Sequence, residues 1–487
     1  MIYYSEYGAV GDGAADDFDA IIKAHEAANE TGAEVRADAG AVYYIGGAGD
    51  KTAQIQTDTD WSGAKFIIDD TKVPPRNRHI FNISSKLPPV QLAAGGLVIS
   101  KNQAKLDLAL PYNALISVTD NNTRRYIREG LNQNNGAAQT DIFIIDSGGN
   151  IDMNAPVIWD FDNISAMTAY PVDSAALTVK GGHFTTIANR AESKYTYYSR
   201  GISITRSNVI LDGVYHAITG ELEHGAPYAG FISVSRCANI LVQNCMLSGH
   251  KTYTTIGSAG KPVTMGTYDV NVGNAVNITF KDCKQINDIH DTNLWGIFGS
   301  NYSKNLVFDG VTFSRFDAHE GVANAAIRNS VLGHMGVHLI GCGTFLLENT
   351  KAHGYCLINL RSDYGSTWEG EIIIRNCEFI PRNGVKSDAV LISGSYSGQH
   401  DFGYTCYMPR KITIDGLLID DSNHTDGYNG PKIFADFNRL YTSADYKEKY
   451  PYVITEEITV RNLEVRSGKD YLISNNPFMF RNVNIKT

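Results

Sequence analysis

The chain has 487 residues, with 46 glycines against 14 prolines, 27 tyrosines and charged residues at only 19%. The formal net charge of −10 argues against a nucleic-acid partner, which needs a basic face to displace counterions. No apolar run approaches the ~20 residues of a membrane span, and sparse charge with short β-branched runs predicts an all-β protein.

The opening "EYGAVGDGAADDFDAIIKAHEAANETGAEVRADAGAVYYI" is turn-rich at Gly8, Gly11 and Gly13. Asp16 or Asp17 is positioned to cap a helix near 18–30 whose apolar residues are Phe18, Ile21, Ile22 and Ala27. Strands are predicted at 34–37 and 42–45. No basic stretch followed by an apolar one opens the chain, so no signal peptide is visible. The seven cysteines show neither CxxC nor metal-ligand spacing and read as free thiols. Both features predict a cytoplasmic protein, or a secreted one if a leader has been removed.

Residues 1–100 thus read as a cap and first coils. Residues 101–165 carry no repeat and read as an inserted module, with a short helix in "RRYIREGLNQ" and a hairpin in "DIFIIDSGGNID". The module suits either a substrate wall or an oligomer contact.

From 166 to 487 a pattern recurs: two or three β-formers, a polar residue, then Asn, Gly or Asp, then a short strand. Examples are "LTVKGGHF", "VILDGVYH", "LVFDGVTF", "IIIRNCEF" and "FMFRNVNI". Eleven copies place the Asn/Gly/Asp at 181, 213, 244, 282, 310, 329, 349, 376, 416, 462 and 482. The shortest intervals, 19 and 20 residues, are too short for a propeller blade and suit a solenoid coil with variable loops. The marked residues tolerate a left-handed turn. Cys245, Cys283 and Cys377 follow it in equivalent places and are expected to stack inward. The fold class is therefore an all-β, right-handed parallel β-helix with an N-terminal capping helix and an inserted module.

The segment Tyr7–Ile22 resembles the start of pectin-lyase-like right-handed β-helix proteins, in which a glycine- and aspartate-rich strand and short helix cap the solenoid. That superfamily includes polygalacturonase-type hydrolases, polysaccharide lyases, epimerases and tailspikes. The resemblance implies the fold and a glycan substrate. The polygalacturonase motifs Asn-Thr-Asp, Asp-Asp, Gly-His-Gly and Arg-Ile-Lys do not stand intact here, so the branch stays open.

Equivalent positions on successive coils lie about 4.8 Å apart, so loops after neighbouring marks converge. "NDIHDTNLWG" offers His290, Asp291 and Trp295; "RFDAHEG" offers Asp317, His319 and Glu320; "LRSDYGSTWEG" offers Arg361, Asp363, Tyr364, Trp368 and Glu369. Glu223 and His224 stand on an earlier coil. The catalytic candidates are Asp317, Asp291, Asp363, His319, Glu320 and His290. Arg361, Tyr364, Trp368, Glu369, Trp295, Glu223 and His224 are the candidates for substrate contact, through sugar stacking and forked hydrogen bonds.

Two carboxylates one or two coils apart suit a glycoside hydrolase, the leading reading. A lyase or uronate epimerase is the alternative, with a base at C5 and Arg361 neutralising the carboxylate. A non-catalytic, tailspike-like glycan binder is the third. The partner is a poly- or oligosaccharide. No cofactor is called for, although calcium among Asp288, Asp291 and Asp317 is a subsidiary reading.

Overall fold

The computed structural model describes residues 1–487 except 48–49, 74–76, 383–387 and 426. The chain is a right-handed parallel β-helix, mostly strand, with one α-helix among the described residues. It divides into two compact units. One comprises Met1–Val118, Ile142–Ile256 and Pro262–Gly299; the other comprises Thr119–Asp141, Gly257–Lys261 and Ser300–Thr487.

In the first unit the helix spans Phe18–Thr31 and ends at Gly32 in the left-handed conformation. Its buried face, Phe18, Ile21, Ala24, His25 and Ala28, closes the end of the solenoid, where open strand edges would otherwise meet water. His25 Nε2 is 2.8 Å from the Tyr4 hydroxyl, which also accepts from Trp61 Nε1. Trp61, Phe66, Phe81 and Phe184 pack edge-on or stacked behind them. Of the two capping candidates, Asp16 accepts from the Phe18 amide, whereas the Asp17 carboxylate holds the amides of Val10 and Gly11.

The repeat is the coil. In the first unit Leu177 pairs in parallel with Val209, Val209 with Ile240, and Ile240 with Ile278. In the second, Leu306, Ala325, Phe345, Ile372, Ile412 and Ile458 pair in succession. Ten of the eleven marked residues have positive φ, from Asn349 at 48° to Gly416 at 80°. The asparagines also bond along the stack: Asn349 Nδ2 donates to Asn329 Oδ1 at 3.2 Å, and Asn329 Nδ2 to Asp309 Oδ1 at 2.8 Å. The eleventh mark, Asn482, is corrected. The last strand is Asn484–Lys486, and Ile485 rather than Phe478 pairs with Ile458. "FMF" instead forms a turn in which Phe480 stacks on Phe434.

All seven cysteines are free. Cys245, Cys283 and Cys377 are buried after their turns, each thiol facing a carbonyl on a neighbouring coil, those of Leu211, Val242 and Leu347. Burial pushes the Cys377 thiol up to about 11.

Two strands of the non-repetitive segment join two that flank it in a separate four-stranded sheet, in the order Ala137–Ile145, Ala114–Arg125, Ala166–Pro171, Val90–Gln91. One face carries its own core of Ile99, Leu106, Ile116, Phe143, Val157 and Phe161. Leu115 and Ile142 on the other face pack on Ala238 and Val276 of the coils. The turn expected in "DIFIIDSGGNID" is present, with Ile145 bridging Ile151 antiparallel. The helix expected in "RRYIREGLNQ" is not. Tyr126 takes a left-handed φ of 56° and Arg128 bridges Asn134 antiparallel, which makes this stretch the tip of a long hairpin. The tip, within Thr119–Asp141, belongs to the second unit.

Candidate functional site

The site in the second unit begins at the strand Thr312–Asp317. A register shift against Val331–Leu339 falls between Phe313 and Arg315 and breaks the alternation of faces. Phe313 and Phe316 both pack on Phe308 in the core. Arg315 and Asp317 are left to a buried ion network. Asp317 pairs with His338, and His338 with Asn359, so three successive coils place polar residues in one row.

Arg361 follows the strand Cys356–Leu360, and a single 3-10 turn, Ser362–Tyr364, ends on Gly365 with φ 83°. This turn brings the guanidinium back over the row. Asp317, 0% exposed, faces two guanidinium groups and an imidazole. They are Arg315 Nη2 at 2.5 Å, His319 Nε2 at 2.8 Å and Arg361 Nη1 at 3.0 Å. Arg361 Nη2 donates to Asp363 at 3.2 Å. From the hairpin tip, Arg128 Nε donates to the same Asp363 oxygen at 2.6 Å, and the Glu129 amide donates to the Asp363 carbonyl.

Aromatic hydroxyls form the other side. Tyr302 and Tyr364 both donate to Glu320, at 2.9 and 3.1 Å. Tyr126 from the hairpin tip meets the rings of Tyr302, Tyr364 and Tyr404 edge-on or tilted. The Arg128 guanidinium lies 5.0 Å over the Tyr364 ring, a cation–π distance. The tip is held by the Ile127 amide donating to the Phe402 carbonyl and by Arg125 donating to the Gly403 carbonyl.

The charges are set by this packing. Burial alone would raise the Asp317 carboxyl, but Arg315, His319 and Arg361 outweigh it and hold it well below the usual range. Burial likewise opposes, and Arg361 and Arg128 overcome it, so the Asp363 carboxyl is also low. His319 is lowered from 6.5, by burial first and with Arg361 adding to it, against the raising effect of Asp317. Burial drives His338 down to about 3; its Nε2 is 2.9 Å from the Met335 carbonyl and its Nδ1 3.0 Å from Asn359 Nδ2. His319 is therefore a neutral imidazole at neutral pH. Nε2 lies 2.8 Å from the Asp317 carboxylate, which takes a donor, and 2.9 Å from Arg361 Nη1, which takes an acceptor; in the tautomer that donates to Asp317, Nδ1 holds the lone pair. Nδ1 has no hydrogen-bond partner among the described residues, and the side chain is 21% exposed.

Of the sequence candidates, Asp317, His319, Glu320, Arg361, Asp363 and Tyr364 come together here. Asp317 does so as a buried anchor with no exposed surface. Trp368, expected to stack on a sugar, is wholly buried: its ring meets Phe345 and its Nε1 donates to the Gly343 carbonyl. Glu369 follows it in the strand on the opposite, half-buried side. His290 and Asp291 belong to the first unit. There the Asp288 carboxylate accepts the His290 amide and Asp291 accepts from Asn293, each closing its own turn. Trp295, also in the first unit, is half-buried with its ring against Gly266. Glu223 and His224 are exposed at the edge of a cavity in that unit.

The calcium reading fails at Asp317, whose oxygens are taken by cations. No group of three metal-ligating side chains occurs among the described residues. Arg128 and Tyr126 were not singled out from sequence. Their only signal was the density of arginine in "RRYIREG" within a segment lacking the repeat.

No model of a known family matches the sequence, and no curated protein matches it. Solved structures match its fold. The tailspike gp61 of Pseudomonas phage phi297 is 13% identical with a TM-score of 0.60, the match covering 99% of this chain and 83% of that one. The gp54 tailspike of Acinetobacter baumannii bacteriophage AP22, solved with a capsular saccharide, is 11% identical with a TM-score of 0.54, covering 100% and 79%. The chain has the pectin-lyase-like right-handed parallel β-helix fold.

Proposed function

We propose that the chain is a carbohydrate-active enzyme that removes the C5 proton of a uronic-acid residue, as a polysaccharide lyase or C5 epimerase does, with His319 as the base. The observation that carries this reading is the His319 imidazole, partly exposed, with its Nε2 2.8 Å from buried Asp317 and 2.9 Å from the Arg361 guanidinium. A carbon acid beside a carboxylate needs a base and a fixed cation to neutralise the charge that develops. His319 and the partly exposed Arg361 supply both, and Arg128 at the hairpin tip holds the bound sugar. His319 Nδ1 takes the C5 proton. In elimination the electron pair forms the C4–C5 double bond as the C4–oxygen bond breaks, and the imidazolium returns its proton to the leaving oxygen. In epimerisation C5 is reprotonated from the opposite face.

The hydrolase reading loses ground because a glycosidase needs one protonated carboxyl, and Asp317 and Asp363 are both held ionised. Glu320, half-buried and bonded to phenols rather than cations, keeps that reading as the second one. The saccharide bound to the AP22 tailspike supports a glycan as ligand. A polysaccharide panel read by ultraviolet absorbance and by reducing ends tests the proposal. Absorbance that depends on His319 supports elimination. New reducing ends without absorbance, lost on Glu320→Gln, contradict it.

A further inference from the structure

The first unit contains a cavity of about 770 Å³ that takes no part in the chemistry above. Its walls are three segments on consecutive coils. Asn189–Ser193 follows the strand Leu177–Ile187, Gly220–His224 follows Tyr215–Thr219, and Thr254–Ile256 with Pro262 belongs to the hairpin after Met246–Leu247. Those strands are in register, Ile187 opposite Thr219 and Tyr215 opposite Met246, so the coil spacing itself builds the cleft.

The rear wall is fixed before any ligand arrives. Glu221 accepts the Ala226 amide on one oxygen and the Lys251 amide on the other, at 2.9 and 3.0 Å, tying two of the loops together. Behind it Asp269 lies 2.9 Å from both His216 and His250, and Tyr228 bridges the Asn189 amide to Asp70, itself paired with Arg200 at 2.8 Å. The void within that network is only about 10 Å³, room for about one water, so the wall is closed.

The open side offers different chemistry. Glu223 and His224 are exposed and have no partner among the described residues. Leu222 and Ile256, 68% and 59% exposed, stand at the rim on different loops. Of the lining carboxylates, Glu192 pairs with Lys194 and Glu221 holds two amides, while the Lys251 ammonium donates to the Leu222 carbonyl and Arg190 to that of Gly220. Apolar side chains at the mouth suit the apolar face of a pyranose. Carboxylate and imidazole acceptors suit its hydroxyls, and with Lys194, Lys251 and Arg190 engaged by protein groups, the open Glu223 disfavours an acidic sugar. The volume is that of a small-ligand site.

We infer that this cavity is a second glycan site and that it takes uncharged oligosaccharides. Its residues differ from those of the His319 cluster, so the inference stands whether or not the lyase reading does. The test is ligand-detected NMR and calorimetry on the full chain. Maltohexaose, cellohexaose and an N-acetylglucosamine hexamer serve as neutral probes and hexagalacturonate as the acidic one. At least one neutral probe binds; the double variant Glu223→Ala/His224→Ala and, separately, Leu222→Ser each weaken it about tenfold or more, and Arg361→Gln leaves it unchanged. All substituted positions in the cavity are exposed, and circular dichroism confirms folding. The inference is overturned if no neutral probe binds, if binding survives the cavity substitutions, or if only hexagalacturonate is lost with them.

Discussion

Asp317→Asn removes one negative charge, adds no bulk, and should still be costly. The carboxylate is fully buried, with Arg315, His319 and Arg361 at 2.5, 2.8 and 3.0 Å. An amide keeps the volume but turns a donor toward donors and leaves buried guanidinium charge uncompensated. Breaking a buried pair by removing one partner costs about 3–5 kcal/mol. At about 1.4 kcal/mol per tenfold, that raises the local opening equilibrium by roughly 10²–10⁴. Hydrogen exchange by mass spectrometry on peptides covering Thr312–Asp317 and Val331–Leu339 reads this directly. The variant should exchange there faster by that factor while the helix Phe18–Thr31 is unaffected. Exchange within about threefold of the parent would refute the reasoning, because Asp317 would then not be the charge that holds the network.

Acid should destabilise the fold well above the aspartate range. Burial lowers His25 and His338 to about 3 and His79 to about 4, against about 6.5 unfolded. Between those values the unfolded chain binds more protons, so stability falls as pH drops from about 6.5 toward 4; melting temperatures flat across that window would contradict this. Asp317 acts in the same direction lower down, its contribution being lost only as pH falls through its depressed folded value. Asn349→Ala should cost about 1–2 kcal/mol in chemical denaturation, because φ is 48° there, and Asn349→Gly should cost less; an alanine variant as stable as the glycine one would count against the turn argument. Thiol titration of denatured, unreduced protein should return all seven cysteines, and a lower count would show a disulfide. Once a substrate is in hand, Arg128→Ala should raise KM about tenfold with little change in kcat, the signature of lost binding common to ground and transition states; an unchanged KM would remove the hairpin tip from the site.

The coil was legible because each turn of the solenoid needs the same two things, alternating β-formers and a residue tolerant of positive φ. "IIIRN" and "ITIDG" therefore align at Ile372 and Ile412 without any structure. The convergence of Asp317, His319, Arg361 and Asp363 followed from loops leaving the same place on nearby coils. Trp368 was misread although its signal was present: it shares parity with Ile372 and Ile374, which point inward. At His290 and Asp291, "NDIHDTN" supplies aspartates two residues ahead of the amides they accept, a turn signature as much as a catalytic one. Arg128 meets Asp363 across 235 residues, a contact with no local trace. The burial of Asp317 and its contacts with the Arg315 and Arg361 guanidinium groups also left no trace in the sequence.

The proposed abstraction at C5 is tested most directly by proton NMR of a uronate polymer incubated with the protein in deuterium oxide. The proposal predicts that C5–H signal is lost, either to an unsaturated chain end or to deuterium at C5, and that His319→Gln abolishes the loss. Chain cleavage with every C5–H retained would contradict it and return the site to hydrolysis through Glu320.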